Sequence, residues 1–170
     1  MALYLIANGP SPTTAAQVPV TTGTAIKTLL QVEPSATNPI LVVEWGISFD
    51  GSAAATPIRC ELCETDVAAT VTASAQADIV KFDGLALANS GNQTTNIIQI
   101  GTANTGYTST SEGTITVVRT LDVQFVAPSN QYVKQFPLGR EPVIQVAKFG
   151  RIRVTAAAAV NAYCYMVVQV

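Results

Sequence analysis

The chain has 170 residues, with nine basic and eleven acidic side chains and no histidine. This length favours one domain, residues 1–170, whose core needs no disulfide or metal to stabilise it. The net charge of −2 and the absence of a basic run argue against nucleic acid as a partner, and no apolar run approaches the roughly 20 residues of a membrane span. Charged residues make up only 12% of the chain, so neutral hydroxyls and amides dominate its polar surface and suit contact with other proteins.

Apolar residues alternate with a period of two along most of the chain, which is typical of β-strands that bury one face. The predicted strands cover residues 3–6, 25–32, 41–50, 58–64, 96–100, 114–126, 131–135, 143–148, 151–155 and 162–170. The alanine run at 156–159 is too short to nucleate a helix. The pattern therefore predicts an all-β fold, an antiparallel sandwich or barrel of about eight to ten strands.

The predicted strand at 41–50 has the clearest alternation. Its odd-numbered residues are all apolar, and they are Leu41, Val43, Trp45, Ile47 and Phe49. Alternate residues of a strand share one face, so we expect this face to lie in the core. Trp45 is accordingly interpreted as a core residue rather than as a stacking surface for a sugar ring.

The segment Leu87 to Gly113 is predicted to be a long loop or extended arm. It is rich in Gly, Asn, Thr and Ser, and Glu112 is its only charged residue. Its few apolar groups cannot offset the backbone entropy of ordering it alone, so we expect it to be ordered by contact with another subunit. The alternative is a mobile excursion between two core strands. The candidate interface residues of the segment are Asn92, Gln93, Thr94, Thr95, Asn96, Ile97, Ile98 and Tyr107.

The long predicted strand at 114–126 has an apolar face that one arginine interrupts. The residues of this face are Ile115, Val117, Arg119, Leu121, Val123 and Phe125. We expect the strand to bend or to leave the core at Arg119. Further along the chain, residues 148–151 are predicted to form a tight hairpin between the strands on either side.

Two arginines, Arg151 and Arg153, lie on the strand face opposite Ile152 and Val154. One interpretation is a solvated sheet face. The other is a contact with a second subunit, because arginine is enriched at interfaces and makes directional bonds to carboxylates and carbonyls. Both arginines are therefore candidate interface residues.

Chemistry for catalysis is lacking. Without histidine there is no Ser-His-Asp or Cys-His arrangement. Cys60 and Cys63 have the CxxC spacing, but on a strand they point to opposite faces, so we expect free thiols and no metal. Glu44 and Glu61 would approach each other only if their strands pair. We predict a non-enzymatic protein with no catalytic residue, metal or cofactor.

The C-terminal segment resembles a known group of proteins. Phe149 to Ala156 (FGRIRVTA), Val160 to Tyr163 (VNAY) and the opening Met1 to Leu5 (MALYL) resemble small virion proteins of tailed bacteriophages of actinobacteria. The resemblance implies a jelly-roll-like β-sandwich that decorates the capsid surface as a homo-oligomer, often a trimer. It implies the major capsid protein as partner and no catalytic residue. The alternative is a carbohydrate- or receptor-binding module on the virion surface, and a third hypothesis, a tail-tube subunit, lacks the helix such proteins usually carry.

Overall fold

The computed structural model describes residues 2–51, 56–83 and 97–170. These residues form thirteen strands and one 3₁₀ turn at Gln76–Asp78. The strands are β1 Leu3–Ala7, β2 Val20–Thr21, β3 Lys27–Val32, β4 Ile40–Phe49, β5 Ile58–Thr65, β6 Thr70–Ala73, β7 Ile79–Lys81, β8 Gly106–Ser111, β9 Val118–Val126, β10 Gln131–Gln135, β11 Val143–Ile144, β12 Phe149–Thr155 and β13 Asn161–Gln169. The all-β prediction is confirmed.

The strands form two antiparallel sheets. Sheet A has seven strands in the order β10-β4-β13-β1-β7, with β11 beside β4 and β2 beside β13. Sheet B has six strands in the order β6-β8-β3-β12-β5-β9. The two sheets bury their inner faces against each other, so the architecture is a β-sandwich.

The sandwich has the topology of a jelly roll. Its eight principal strands in chain order are β1, β3, β4, β5, β9, β10, β12 and β13. The first pairs with the last, the second with the seventh, the third with the sixth and the fourth with the fifth. This nested pairing defines the jelly roll and confirms the jelly-roll-like prediction. The long connection from β5 to β9 supplies β6, β7 and β8, which extend both sheets at the edge remote from β9 and β10.

The core lies between the sheets and is built from alternate residues of each strand. In β13 the inward side chains of Ala162, Cys164, Met166 and Val168 are fully buried. Trp45 is also fully buried, as predicted, and its indole N–H donates to Asp122 across 3.2 Å. Each large apolar side chain buried in this way contributes about 1.5–3 kcal/mol to stability.

A β-bulge in β4 moves part of its predicted apolar face outward. Val167 lies opposite Glu44 and Val168 lies opposite Val42, which leaves Val43 as the extra residue. On the N-terminal side of the bulge the inward residues are even-numbered, so Val42 is fully buried while Leu41 and Val43 are partly exposed. The prediction of one uninterrupted face is therefore correct from Trp45 onward and wrong before it.

The prediction that the strand at 114–126 has one apolar face is wrong. The strand begins at Val118 and forms an edge of sheet B, and a register shift leaves Leu121 without a direct partner. The side chain of Asp122 faces Trp45, whereas Phe125 is 72% exposed. An edge strand buries few side chains, and the bulge changes which of them face inward.

The prediction of a hairpin at 148–151 is also wrong. Val143–Ile144 pairs with β4 in sheet A, whereas Phe149–Thr155 lies between β3 and β5 in sheet B. Residues 145–148 therefore connect the two sheets, and the strands on either side of them are not paired with each other.

Candidate functional site

Two segments cross the outer face of sheet B, and we call residues 66–69 and 112–117 the straps. The carboxylate of Asp66 joins them by accepting the backbone N–H groups of Thr116 and Val117, at 3.2 and 3.1 Å. The hydroxyl of Thr116 donates to the same carboxylate, and these hydrogen bonds lower the pKa of Asp66 to about 2. A side chain at Gly113 would lie 2.7 Å from the carbonyl oxygen of Ala68, so glycine permits the close approach of the straps.

The straps bury Arg151. Its guanidinium group lies 3.2 Å from Oε2 of Glu112 and also donates to the carbonyl of Val67, so it contacts both straps. The Glu112 carboxylate further accepts the backbone N–H and hydroxyl of Thr28, each at 2.6 Å, and the hydroxyl of Ser109. Burial lowers the pKa of Arg151, but the adjacent carboxylate opposes this effect. The charge is therefore enclosed and paired within the chain.

Arg153 is paired in a similar way. Its guanidinium lies 2.5 Å from Glu61, whose other oxygen lies 2.8 Å from Arg59. Arg151 and Arg153 are 0% and 7% exposed, so the hypothesis of a solvated face is wrong for both. Their contact with another subunit stays a prediction, but their charges already have partners inside this chain.

The described part of the predicted arm, residues 97–113, folds onto its own sandwich. Ile98 is fully buried in the core and bridges to Pro34, while Ile97 packs against the same core. Tyr107 lies in β8, opposite Leu30. Contacts within the chain already bury these residues, so another subunit is not needed to order them. The place of Ile97, Ile98 and Tyr107 at an interface stays a prediction. The candidates Asn92, Gln93, Thr94, Thr95 and Asn96 lie outside the described residues.

The residues that the structure describes form no cluster of metal ligands. Within them no group of three or more histidine, cysteine or acidic side chains could hold a metal ion. Glu44 and Glu61 lie in opposite sheets, so the pairing of their strands does not occur. Cys60 faces the core whereas Cys63 lies next to Arg151 beneath the straps, which confirms that the two face opposite ways. Both thiols are free, and burial raises the pKa of each to about 12.

The outer face of sheet A contrasts with that of sheet B. Pairing aligns side chains in rows across the sheet, such as Val133-Gly46-Tyr165-Ala7 and Gln135-Glu44-Val167-Leu5-Val80. We define the open face of sheet A as Leu3, Leu5, Ala7, Glu44, Gly46, Val80, Val133, Gln135, Tyr163, Tyr165 and Val167. Val80 and Val133 are 44% and 51% exposed at its two sides, whereas Ala7 and Val167 within it are only 7% and 6% exposed. No strap among the described residues crosses this face, and Glu44 is its one carboxylate.

Two tyrosines form the centre of the open face. The ring of Tyr165 lies across Gly46, where a Cβ atom would be only 2.5 Å from it. The Tyr165 hydroxyl donates to Glu44 across 2.6 Å, and the ring of Tyr163 lies 6.2 Å away. Burial, assisted by this hydrogen bond, raises the pKa of Tyr165 to about 12. The single carboxylate of the face is thus bonded to a neighbouring side chain of the same face.

The sequence carries a signal for the open face that alternation alone does not reveal. In β1 (LYLIA) and in the middle of β13 (AYCYMVV) both sets of alternate residues are apolar or aromatic. Such continuous apolar strands are typical of sheets that are covered on both faces. The inner set packs in the core, and the outer set forms the open face.

A scan against protein-family models found no match, and comparisons with curated proteins and with solved structures found none either. The described part of the chain has no helix with the length and apolarity needed to cross a membrane. What the protein binds therefore has to be inferred from its own surface.

Proposed function

We propose that the protein is a structural virion protein that decorates the outer surface of a phage capsid and reinforces it. Its partners are the major capsid protein and further copies of itself. Many modest contacts, repeated by the symmetry of the capsid, give high avidity without one strong bond. The setting is supported by the resemblance of residues 149–156 and 160–163 to phage virion proteins, which implies a homo-oligomer, often a trimer.

The open face of sheet A is the observation that carries the proposal. A jelly roll on its own does not indicate a function, because the fold serves many. In this chain, however, one outer face is closed by the straps over paired charges, while the other has Val80 and Val133 exposed and the two tyrosines partly exposed. Depletion of charge and enrichment in aromatic residues are typical of the centres of protein interfaces. These features favour a protein that works by packing against other proteins.

The proposal is tested on particles purified from the phage that encodes the chain. We expect the protein to remain with the capsids through density-gradient purification, at a fixed ratio to the major capsid protein. Capsids that lack it should bind the purified protein and then resist heat or low ionic strength better. A protein found only in the unbound fraction, or present at a few copies per particle, would contradict capsid decoration.

The second candidate function is binding of a carbohydrate or receptor at the virion surface. The pair Tyr163 and Tyr165 favours it, because flat aromatic rings on an open sheet can stack against sugar rings. A glycan array with the wild-type protein and with Tyr165→Ala tests it. Binding to a defined glycan that the variant loses would favour this function over decoration.

A further inference from the structure

We infer that the open face of sheet A binds the same face of a second copy of this chain, sheet against sheet, around a twofold axis. The inference rests on the proposed function in one respect, because it takes the open face as the contact surface. It goes beyond that function by naming the occupant of the face and the symmetry of the contact.

Composition favours a second copy over a transient partner. Homodimer interfaces are more apolar than those between proteins that also exist apart, which are about as polar as ordinary surface. The open face consists mainly of leucine, valine and tyrosine, and its one carboxylate, Glu44, is bonded to Tyr165. It offers no free charge for recognising a charged partner. An apolar patch is complementary to itself, as a twofold contact requires.

The size of the face also permits a dimer. Its five strands differ in length, from three residues in β7 to ten in β4, and at about 3.4 Å per residue and about 4.8 Å between strands they cover about 500 Å². A twofold pair would therefore bury about 1,000 Å² in total, which is at the lower limit for a specific interface. Two such sheets can stack about 10 Å apart with their side chains interdigitated.

The other exposed apolar region, the edge strand β9, is a weaker candidate. Natural proteins protect edge strands from pairing with other chains by bulges and inward-pointing charges. β9 has both, because Leu121 is displaced from the register and Asp122 points towards Trp45. Its exposed Phe125 therefore provides a control position outside the proposed interface.

The test compares the mass in solution of three proteins between about 1 and 100 μM, by light scattering and sedimentation. Wild type should have twice the 17.8 kDa of the chain. Val133→Asp places a charge on the face, and we expect the dissociation constant of the dimer to rise at least about 100-fold. Phe125→Asp adds the same charge at a residue that is 72% exposed on sheet B, and it should remain dimeric. Far-UV circular dichroism checks the fold of each protein. If Val133→Asp is unfolded, Val80→Asp is used in its place.

The outcomes also separate this inference from the proposed function. A wild-type monomer throughout this range, a trimer, or a dimer that persists in the folded face variant would overturn the twofold contact. If the wild type is monomeric but Val133→Asp abolishes capsid binding, the inference fails and capsid decoration stands. If the variants are monomeric and still bind capsids, the inference stands and the capsid contact lies elsewhere. If wild type dimerises through this face but does not bind capsids, the proposal of capsid decoration is contradicted and the dimer inference stands.

Discussion

At the level of single residues, Trp45 connects the core to the edge of the sandwich. It is fully buried, its N–H donates to Asp122, and its ring meets Tyr132 edge-on with centroids 5.3 Å apart. We expect Trp45→Ala to lower the free energy of unfolding by about 3–5 kcal/mol, because it leaves a large cavity. Trp45→Phe keeps most of the packing and loses the donor, so it should cost about 1–2 kcal/mol. Urea unfolding measures both, and equal losses in the two variants would contradict the role of cavity formation.

The cysteines give a second prediction at this scale. Cys60, Cys63 and Cys164 are buried free thiols, and burial raises the pKa of each. Only the thiolate reacts readily, so the native protein at pH 8 should react with a thiol reagent far more slowly than a free cysteine. In denaturant without reductant, all three should react at once. One reactive thiol per denatured chain would instead reveal a disulfide.

Among the structural elements, the straps depend on the buried pair of Arg151 and Glu112. Glu112→Gln keeps the shape of the side chain but leaves the arginine charge unpaired, and removal of one partner from a buried pair typically costs about 3–5 kcal/mol. The matched control is Arg59→Gln, since Arg59 is 45% exposed and Glu61 retains Arg153. This change should cost no more than about 1 kcal/mol. Similar unfolding midpoints for the two variants would show that the pair does not stabilise the straps.

The straps and the strand faces show where sequence patterns fail. Alternation correctly placed Trp45 inside and set Cys60 and Cys63 on opposite faces, because both depend only on local period. It failed for Val43 and for β9, because a bulge is created by the register with a neighbouring strand. The partners of Arg151 could not be predicted either, since Glu112 lies 39 residues away in sequence and reaches it through a strap.

For the molecule as a whole, the all-β class was predictable and the order of the strands was not. Strands next to each other in the chain, such as β11 and β12, lie in different sheets, so the hairpin expected at 148–151 does not form. The apolar outer residues of β1 and β13 indicate a covered face. The same pattern is expected for cover by a helix, a strap or another chain, so sequence alone could not show that the face would remain open in the monomer.

This nested topology leads to a prediction about folding. Leu3 pairs with Gln169, and in each nested pair of principal strands other strands lie between the two partners in the sequence. The entropy of closing these long loops must therefore be overcome before the pairs form. We expect refolding to take on the order of a second, at the slow end for β-sandwiches. Stopped-flow measurement of Trp45 fluorescence monitors this process. Double-jump experiments separate phases due to isomerisation of the nine prolines.

A circular permutant provides the matched comparison for this prediction. Ala2 and Val170 exchange backbone hydrogen bonds of 3.4 and 3.2 Å, so a short glycine linker can join them. New ends can be opened beside Leu138, which is 92% exposed. The permutant converts the β13–β1 pair into a local hairpin without changing any contact of the core. It should therefore fold several times faster at nearly the same stability, because the transition state no longer requires the longest loop to close. Equal folding rates for the two proteins would show that the β1–β13 pair forms only after the rate-limiting step.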